Sequence, residues 1–249
     1  MPHDPAFIVA ACVAVTLVGL AKGGFAGLGA LGTPIMALAI SPVAAAAILL
    51  PILIVQDIVS VWCFRAHWNR RIVLVMLPGA LVGVALGWAM AALVSERAVM
   101  AAVGAVTLLF GLSRLWIERR GRIPIPAGGP EWVGGLFGVA TGFASQIAHA
   151  GSPPFQMWVA PKRLPHLEYV GTSAIVFALV NWAKVPAYAA LGQFTRENLT
   201  IAAALLPVAL LSTFAGVWLV RRVSGPLFYT LLYVLMVALG SKLLWDAWP

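Results

Sequence analysis

A glycine-rich interruption splits the first apolar run of this chain and constrains its fold more than any other feature. From Lys22 to Pro34 the sequence reads KGGFAGLGALGTP, with five glycines, one proline and one lysine. Lipid offers no hydrogen bonds to peptide groups, so unwound backbone at membrane depth persists only where protein or a water-filled cavity satisfies it. The interruption therefore predicts one half of a buried polar site inside a membrane.

The composition places the chain in a bilayer. Hydrophobic residues make up 62% and charged residues 10% of the 249 residues, and the mean hydropathy is +0.97; a soluble globule of this length could not bury so much apolar surface. The N-terminal apolar run contains Asp4 and has no basic leader, so we interpret it as retained membrane sequence and not as a signal peptide. Most basic residues behind the net charge of +8 lie in short connections, so we expect them to set orientation and expect no nucleic-acid partner.

At about 20 apolar residues per membrane span, the chain divides into two similar halves. The first half, 1–120, contains a broken hairpin at about 6–40 and spans at about 43–64, 72–94 and 98–117. A polar, cytoplasmic linker is predicted at 121–130, and the second half, 131–249, contains a broken hairpin at about 131–160 and spans at about 165–191, 198–220 and 226–245. The second arm of the first hairpin is predicted from Phe25 to Ile40, and the second break from Ser145 to Pro154.

The two halves repeat short motifs at matching places. Gly32-Thr33-Pro34 in the first break matches Gly151-Ser152-Pro153 in the second, and Pro78, Gly83 and Gly87 have the same spacing as Pro207, Ser212 and Gly216. Interrupted apolar segments at corresponding places in two halves are the best sequence indication of a transporter's substrate site.

The distribution of basic residues favours one topology. If every apolar segment crossed the membrane, the basic residues near 162 and 222 would lie opposite those near 65 and 119. If each broken segment instead re-enters and returns to its own side, these groups share one side, as the positive-inside rule prefers. Each half then has three spans and one re-entrant hairpin, so the fold class predicted is an all-α polytopic membrane protein built from two inverted repeats.

The GGFAGLGALGTP break, its weaker copy before Gly151-Ser152-Pro153-Pro154, the later Gly171-Thr172-Ser173 and the eight-segment layout resemble the TauE/SafE family of membrane anion exporters. The resemblance covers nearly the whole chain. It implies export of sulfite or of small organosulfonates such as sulfoacetate, from a multi-pass protein of the bacterial inner membrane. The second break departs from the glycine-rich pattern, with Gln146 and His149 where the first has Gly27 and Ala30.

An oxyanion near the membrane midplane needs positive potential and hydrogen-bond donors, which half-helix N-termini supply. Glycine lets the backbone approach a ligand, although close helix packing explains membrane glycines equally well. Ser and Thr beside a break can cap a half-helix or touch the ligand. We predict substrate-binding residues at Lys22, Gly23, Gly24, Gly27, Gly32, Thr33, Gln146, His149, Gly151, Ser152, Asn181 and Lys184.

Ionisable residues within membrane segments are functional hypotheses because burying them is costly. Lys22 lies at the mouth of the first break, where it either binds the anion or reaches the membrane interface. Lys184 lies mid-segment and is the stronger candidate for facing the cavity. Asp57 is expected near Asn181 and either pairs with a lysine or takes up a proton that couples transport; His149 can change charge near neutral pH and is a second candidate for coupling.

The sequence indicates a transporter and not an enzyme. It has no GxSxG, HExxH or Walker motif, and the lone cysteines Cys12 and Cys63 predict neither a disulfide nor a metal site. We therefore expect no cofactor, and transport by alternating access driven by the substrate gradient or by an ion gradient such as protons. The expected partners are a small anion and the lipid bilayer, with a homodimer as an open alternative. A permease for another small anion or metabolite, or a non-transporting scaffold subunit, also fits the sequence.

Overall fold

The structure is a computed structural model that describes residues 4–25, 28–91, 93, 95–120, 130–159, 162, 164–220, 222 and 226–247. These residues form helices and no strands, so the all-α fold class is confirmed. Most of the predicted linker and Gly27 lie outside the described residues. The helices are α1 (Pro5–Lys22), α2 (Gly32–Ala37), α3 (Pro42–Phe64), α4 (Arg70–Ala91), α5 (Glu96–Arg120), α6 (Glu131–Ala148), α7 (Ser152–Val159), α8 (His166–Ala190), α9 (Arg196–Val220) and α10 (Pro226–Ala247), with a short 3₁₀ helix at Leu28–Leu31.

The long helices are suited to lipid. Among the described residues, α1, α3, α4, α8 and α9 are long and apolar enough to cross a membrane. Their outward side chains remain apolar, with Ile58 61% and Leu211 72% exposed. A water-soluble protein of this size would not display so much contiguous apolar surface, so the prediction of a polytopic membrane protein is confirmed.

The second break and the second arm of the first hairpin are shorter than predicted. In the second, Ser145 to Ala148 continue α6 and Ser152 already begins α7, so only 149–151 are non-helical. His149 ends α6 with φ of 53° in the left-handed region, a common way for a helix to stop. In the first, the second arm is helical from Leu28 to Ala37 and not from Phe25 to Ile40.

The hairpin predicted for the second half is visible as a chain reversal. A Cβ placed on Gly134, near the start of α6, would lie 2.3 Å from the ring of Trp158 near the end of α7. Glu131, Trp158 and Lys162 also line one pocket. The segment therefore enters and returns at the same end of the bundle. The inversion of the two halves relative to the membrane stays a prediction.

Each broken segment packs on a helix from the other half: α1 lies against α9, and α6 lies against α4. The repeated motifs form these contacts. Gly216 of α9 approaches the backbone of Gly23, and Gly87 of α4 approaches the side chain of Gln146. Small residues let helix backbones come close in a membrane, so the matched glycines place both breaks at the centre of the bundle.

The Gly171-Thr172-Ser173 motif lies near the start of α8 and contacts the connection between α3 and α4. A Cβ on Gly171 would lie 1.7 Å from the carbonyl oxygen of His67, so no larger residue fits. Thr172 Oγ1 accepts a hydrogen bond from the Asn69 backbone at 2.8 Å, and Asn69 Nδ2 donates to Glu168 at 2.8 Å. These bonds hold α8 so that its next residue, Ser173, lines the central cavity.

Candidate functional site

The two breaks meet at one cavity of about 60 Å³ in the middle of the bundle. A single water molecule needs about 10–15 Å³ of such space, so the cavity has room for several waters or for one small ion. The polar residues that line it come from α1, α6, α7, α8 and the second break, and apolar residues close the remaining sides. Its lining includes Lys22, Gly29, Ser145, His149, Ser152, Gln156, Ser173 and Asn181, with Val18, Leu49, Leu53, Phe155 and Phe177 on the apolar sides.

Lys22 brings a cation to this cavity from the last turn of α1. Its ammonium nitrogen forms an ion pair with Asp57 and lies 5.6 Å from the centre of the Phe177 ring. The second Asp57 oxygen accepts a hydrogen bond from Asn181 Nδ2 at 2.6 Å. This contact confirms the predicted proximity of the two residues. Within the described residues Asp57 is the acceptor bonded to Lys22.

Lys184 is more fully engaged than Lys22. Its ammonium nitrogen lies 3.1 Å from both the carbonyl and the hydroxyl oxygen of Ser145 and 2.6 Å from His149 Nδ1. An ammonium group has three N–H donors, and these three acceptors use all of them. Lys184 therefore stabilises the end of α6 and the start of the second break, where the helix dipole favours a cation.

The contacts of His149 fix its tautomer. Nε2 lies 2.8 Å from the carbonyl oxygen of Ala46, which can only accept, so Nε2 carries a hydrogen. Nδ1 then accepts from Lys184. Both ring nitrogens are bonded to protein, and the ring borders the cavity without a free donor. Its predicted roles in binding and coupling stay predictions, and this conformation favours a positioning role.

Four of the predicted binding glycines lie in close packing contacts, and their role in binding stays a prediction. Cβ atoms on Gly23 and Gly32 would lie 2.4 Å from Gly216 and Val18 respectively. Gly24 has φ of 132°, a conformation that other residues rarely adopt, and packs on Val220. Gly151 lies against the carbonyl oxygen of Thr141. These residues give the breaks their shape, and Gly29 is the glycine found in the cavity lining.

Two of the polar residues predicted to bind substrate, Thr33 and Gln146, do not line the central cavity. Thr33 is buried, and its hydroxyl has no partner among the described residues. Gln146 borders a separate cavity of about 300 Å³ together with Tyr188 and Gln193. The Tyr188 hydroxyl donates to the Gln146 carbonyl at 3.0 Å. Gln146 and Tyr188 thus line this second cavity and not the central one.

Sequence reasoning missed Gln156, which lines the central cavity from α7. Its side chain is 2% exposed, and its amide nitrogen has no hydrogen-bond partner among the described residues. The available signal was a polar residue four positions after Ser152, on the same face of an otherwise apolar half-helix.

The helix N-terminus of α7 supplies fewer donors than predicted. Pro153 and Pro154 follow Ser152, and proline has no backbone N–H. The Phe155 amide already bonds to the Gly151 carbonyl at 3.4 Å. Side chains, not main-chain amides, are therefore the principal donors on this side of the cavity.

This arrangement defines a class of protein. A membrane bundle in which two interrupted helices meet at a small central cavity is typical of transporters. In the described part of the chain, no group of three or more His, Cys, Asp or Glu residues is placed to hold a metal ion.

The chain belongs to the TauE/SafE family. Residues 11–243 match the family described as "Sulfite exporter TauE/SafE", which confirms the resemblance found in the sequence. No curated protein and no solved structure matches the chain. Members of this family are membrane transporters of sulfur compounds and not enzymes.

Proposed function

We propose that this protein is a secondary transporter that exports a small sulfur oxyanion, sulfite or an organosulfonate such as sulfoacetate, across the bacterial inner membrane. The observation that supports this most directly is the meeting of residues from both broken segments at a cavity lined by Lys22. The family supplies the sulfur chemistry, and the cavity supplies the charge and size expected for a small anion.

The packing of the two halves is consistent with alternating access. α1 lies on α9 and α6 lies on α4, so each broken segment is attached to the other half of the chain. A shift of one half against the other would move the two breaks apart on one side of the cavity. The His149–Ala46 hydrogen bond joins a residue that lines the central cavity to one that lines the second cavity, so we expect it to break during the cycle.

Asp57 is the residue best placed to couple transport to protons. Its carboxylate forms an ion pair with Lys22, the same cation that an anionic substrate would bind. If Asp57 takes up a proton, Lys22 is released to bind the substrate; when the proton leaves, the carboxylate displaces the anion. Lys184 on α8 and His149 in the second break are the other charged or titratable groups nearby, and both are bonded to each other.

The test is flux of sulfite, sulfoacetate and sulfate in proteoliposomes, with and without a pH gradient. Lys22→Gln in an Asp57→Asn background removes the cation without leaving a buried, unpaired carboxylate. We expect this double variant to lose flux and Lys162→Gln, a lysine outside the central cavity, to keep it. If the wild-type protein transports none of the three anions, the proposal is wrong and the scaffold alternative gains support.

A further inference from the structure

Gln156 lines the central cavity, and within the described residues its buried amide nitrogen has no hydrogen-bond partner. Its side chain is 2% exposed. Buried donors in native proteins almost always have an acceptor, because burial without one is costly. A donor left over at a cavity wall therefore indicates a ligand that brings an acceptor atom.

The position of Gln156 on α7 explains why a side chain is needed there. Ser152 and Gln156 are separated by one helical turn and lie on the same face, and both line the cavity. Between them, Pro153 and Pro154 remove two main-chain N–H donors from the first turn. The amide of Gln156 replaces donors that an ordinary helix N-terminus would offer to an anion.

The charges around the cavity limit the charge of the ligand. Lys22 is shared with Asp57, and the three N–H groups of Lys184 are all used by Ser145 and His149. Gln156 adds a donor without adding charge. Apolar side chains, including Val18, Leu49 and Leu53, occupy other parts of the lining and offer no donors to further oxygen atoms.

We propose that the Gln156 amide nitrogen donates a hydrogen bond to an oxygen atom of the substrate that Lys22 also binds, and that this neutral donor makes the cavity prefer a singly charged oxyanion over a doubly charged one. The proposal rests on the proposed transport function and adds to it a binding residue and the charge state of the substrate. Among the candidate substrates it favours hydrogen sulfite or a monoanionic sulfonate over sulfoacetate, whose carboxylate and sulfonate carry two negative charges at neutral pH.

Methanesulfonate and sulfate are suitable probes because they have similar tetrahedral shapes and differ by one charge. Binding of each to the purified protein is measured by calorimetry for the wild type and for Gln156→Leu, Gln156→Lys and Gln56→Leu. Gln56 is the matched control: it is fully buried, and its amide oxygen is also unpartnered in the described structure, but it does not line the cavity.

We expect the wild type and Gln56→Leu to bind methanesulfonate at least about tenfold more tightly than sulfate, and Gln156→Leu to lose about tenfold in methanesulfonate affinity, equivalent to about 1.4 kcal/mol. Gln156→Lys should shift the preference towards sulfate. Equal methanesulfonate affinity in Gln156→Leu, Gln56→Leu and wild type overturns the role of Gln156 while leaving transport intact. If wild type binds and transports no oxyanion, the proposed function fails as well.

Discussion

Lys184 Nζ lies 2.6 Å from His149 Nδ1, and the opposite nitrogen of the same ring lies 2.8 Å from the carbonyl oxygen of Ala46. This chain of bonds joins α8, the second break and α3. It holds His149, the only described residue other than glycine with positive φ, in a conformation that costs roughly 1–2 kcal/mol. The left-handed conformation at His149 therefore depends on a buried lysine, while Gly151 allows the close approach of the second break to Thr141.

Removing Lys184 should destabilise the second break. Lys184→Met deletes three hydrogen bonds and removes the ammonium donor to the Ser145 hydroxyl and to His149 Nδ1, while the Ser145 carbonyl keeps its bond from the His149 backbone N–H. We expect a loss of about 3 kcal/mol of stability, measured as a lower unfolding temperature in detergent, together with loss of flux. Lys162→Met, which changes a lysine outside the central cavity, is the control. Identical melting of the two variants would contradict the structural role of Lys184.

Glycine contacts between α4 and α6 should be sensitive to a single methyl group. A Cβ on Gly142 would lie 1.9 Å from the Ala80 carbonyl oxygen, whereas the nearest atom to one on Gly135 is 4.0 Å away. Gly142→Ala should therefore destabilise the protein by about 1–3 kcal/mol through overpacking. Gly135→Ala should be neutral or stabilise by up to about 1 kcal/mol, because alanine favours helix. Thermal unfolding of both variants is the measurement, and equal effects would show that these helices do not pack as described.

Replacing Asp57, the acid that pairs with Lys22, should separate anion binding from proton coupling. Asp57→Asn preserves the side-chain shape but removes the negative charge that pairs with Lys22. We expect exchange of labelled anion between equal pools to continue, while accumulation driven by a pH gradient is lost. Asp246→Asn, an exposed change at the Lys242 pair, is the control. Gradient-driven accumulation by Asp57→Asn would exclude Asp57 as the coupling residue.

The re-entrant topology can be tested by surface labelling. Cysteines at Glu131 and Lys162 should react with an impermeant maleimide from the same side of the membrane, because α6 and α7 form a hairpin whose ends lie together. A cysteine at Thr195, beyond the far end of α8, should react from the opposite side. Labelling of Thr195 and Glu131 from one face would contradict the arrangement.

The sequence by itself determined the class of fold and the location of the breaks. Hydropathy and helix length indicated the membrane spans, and the repeated glycine and proline motifs indicated where two segments are interrupted. Charges inside apolar runs singled out Asp57 and Lys184 as buried polar residues, because lipid makes such residues costly without partners; for Lys22 the sequence left both the cavity and the membrane interface open. The Asp57–Asn181 proximity followed from aligning the two halves.

Only the tertiary structure decided which side chains face the cavity. Membrane helices are apolar towards lipid and towards each other, so their periodicity does not reveal the inward face. Gly23 therefore could not be recognised as a contact for Gly216, nor Gln156 as part of the cavity lining. Those roles depend on how each broken segment packs against the other half of the chain, and that rotation is set by contacts between residues far apart in sequence.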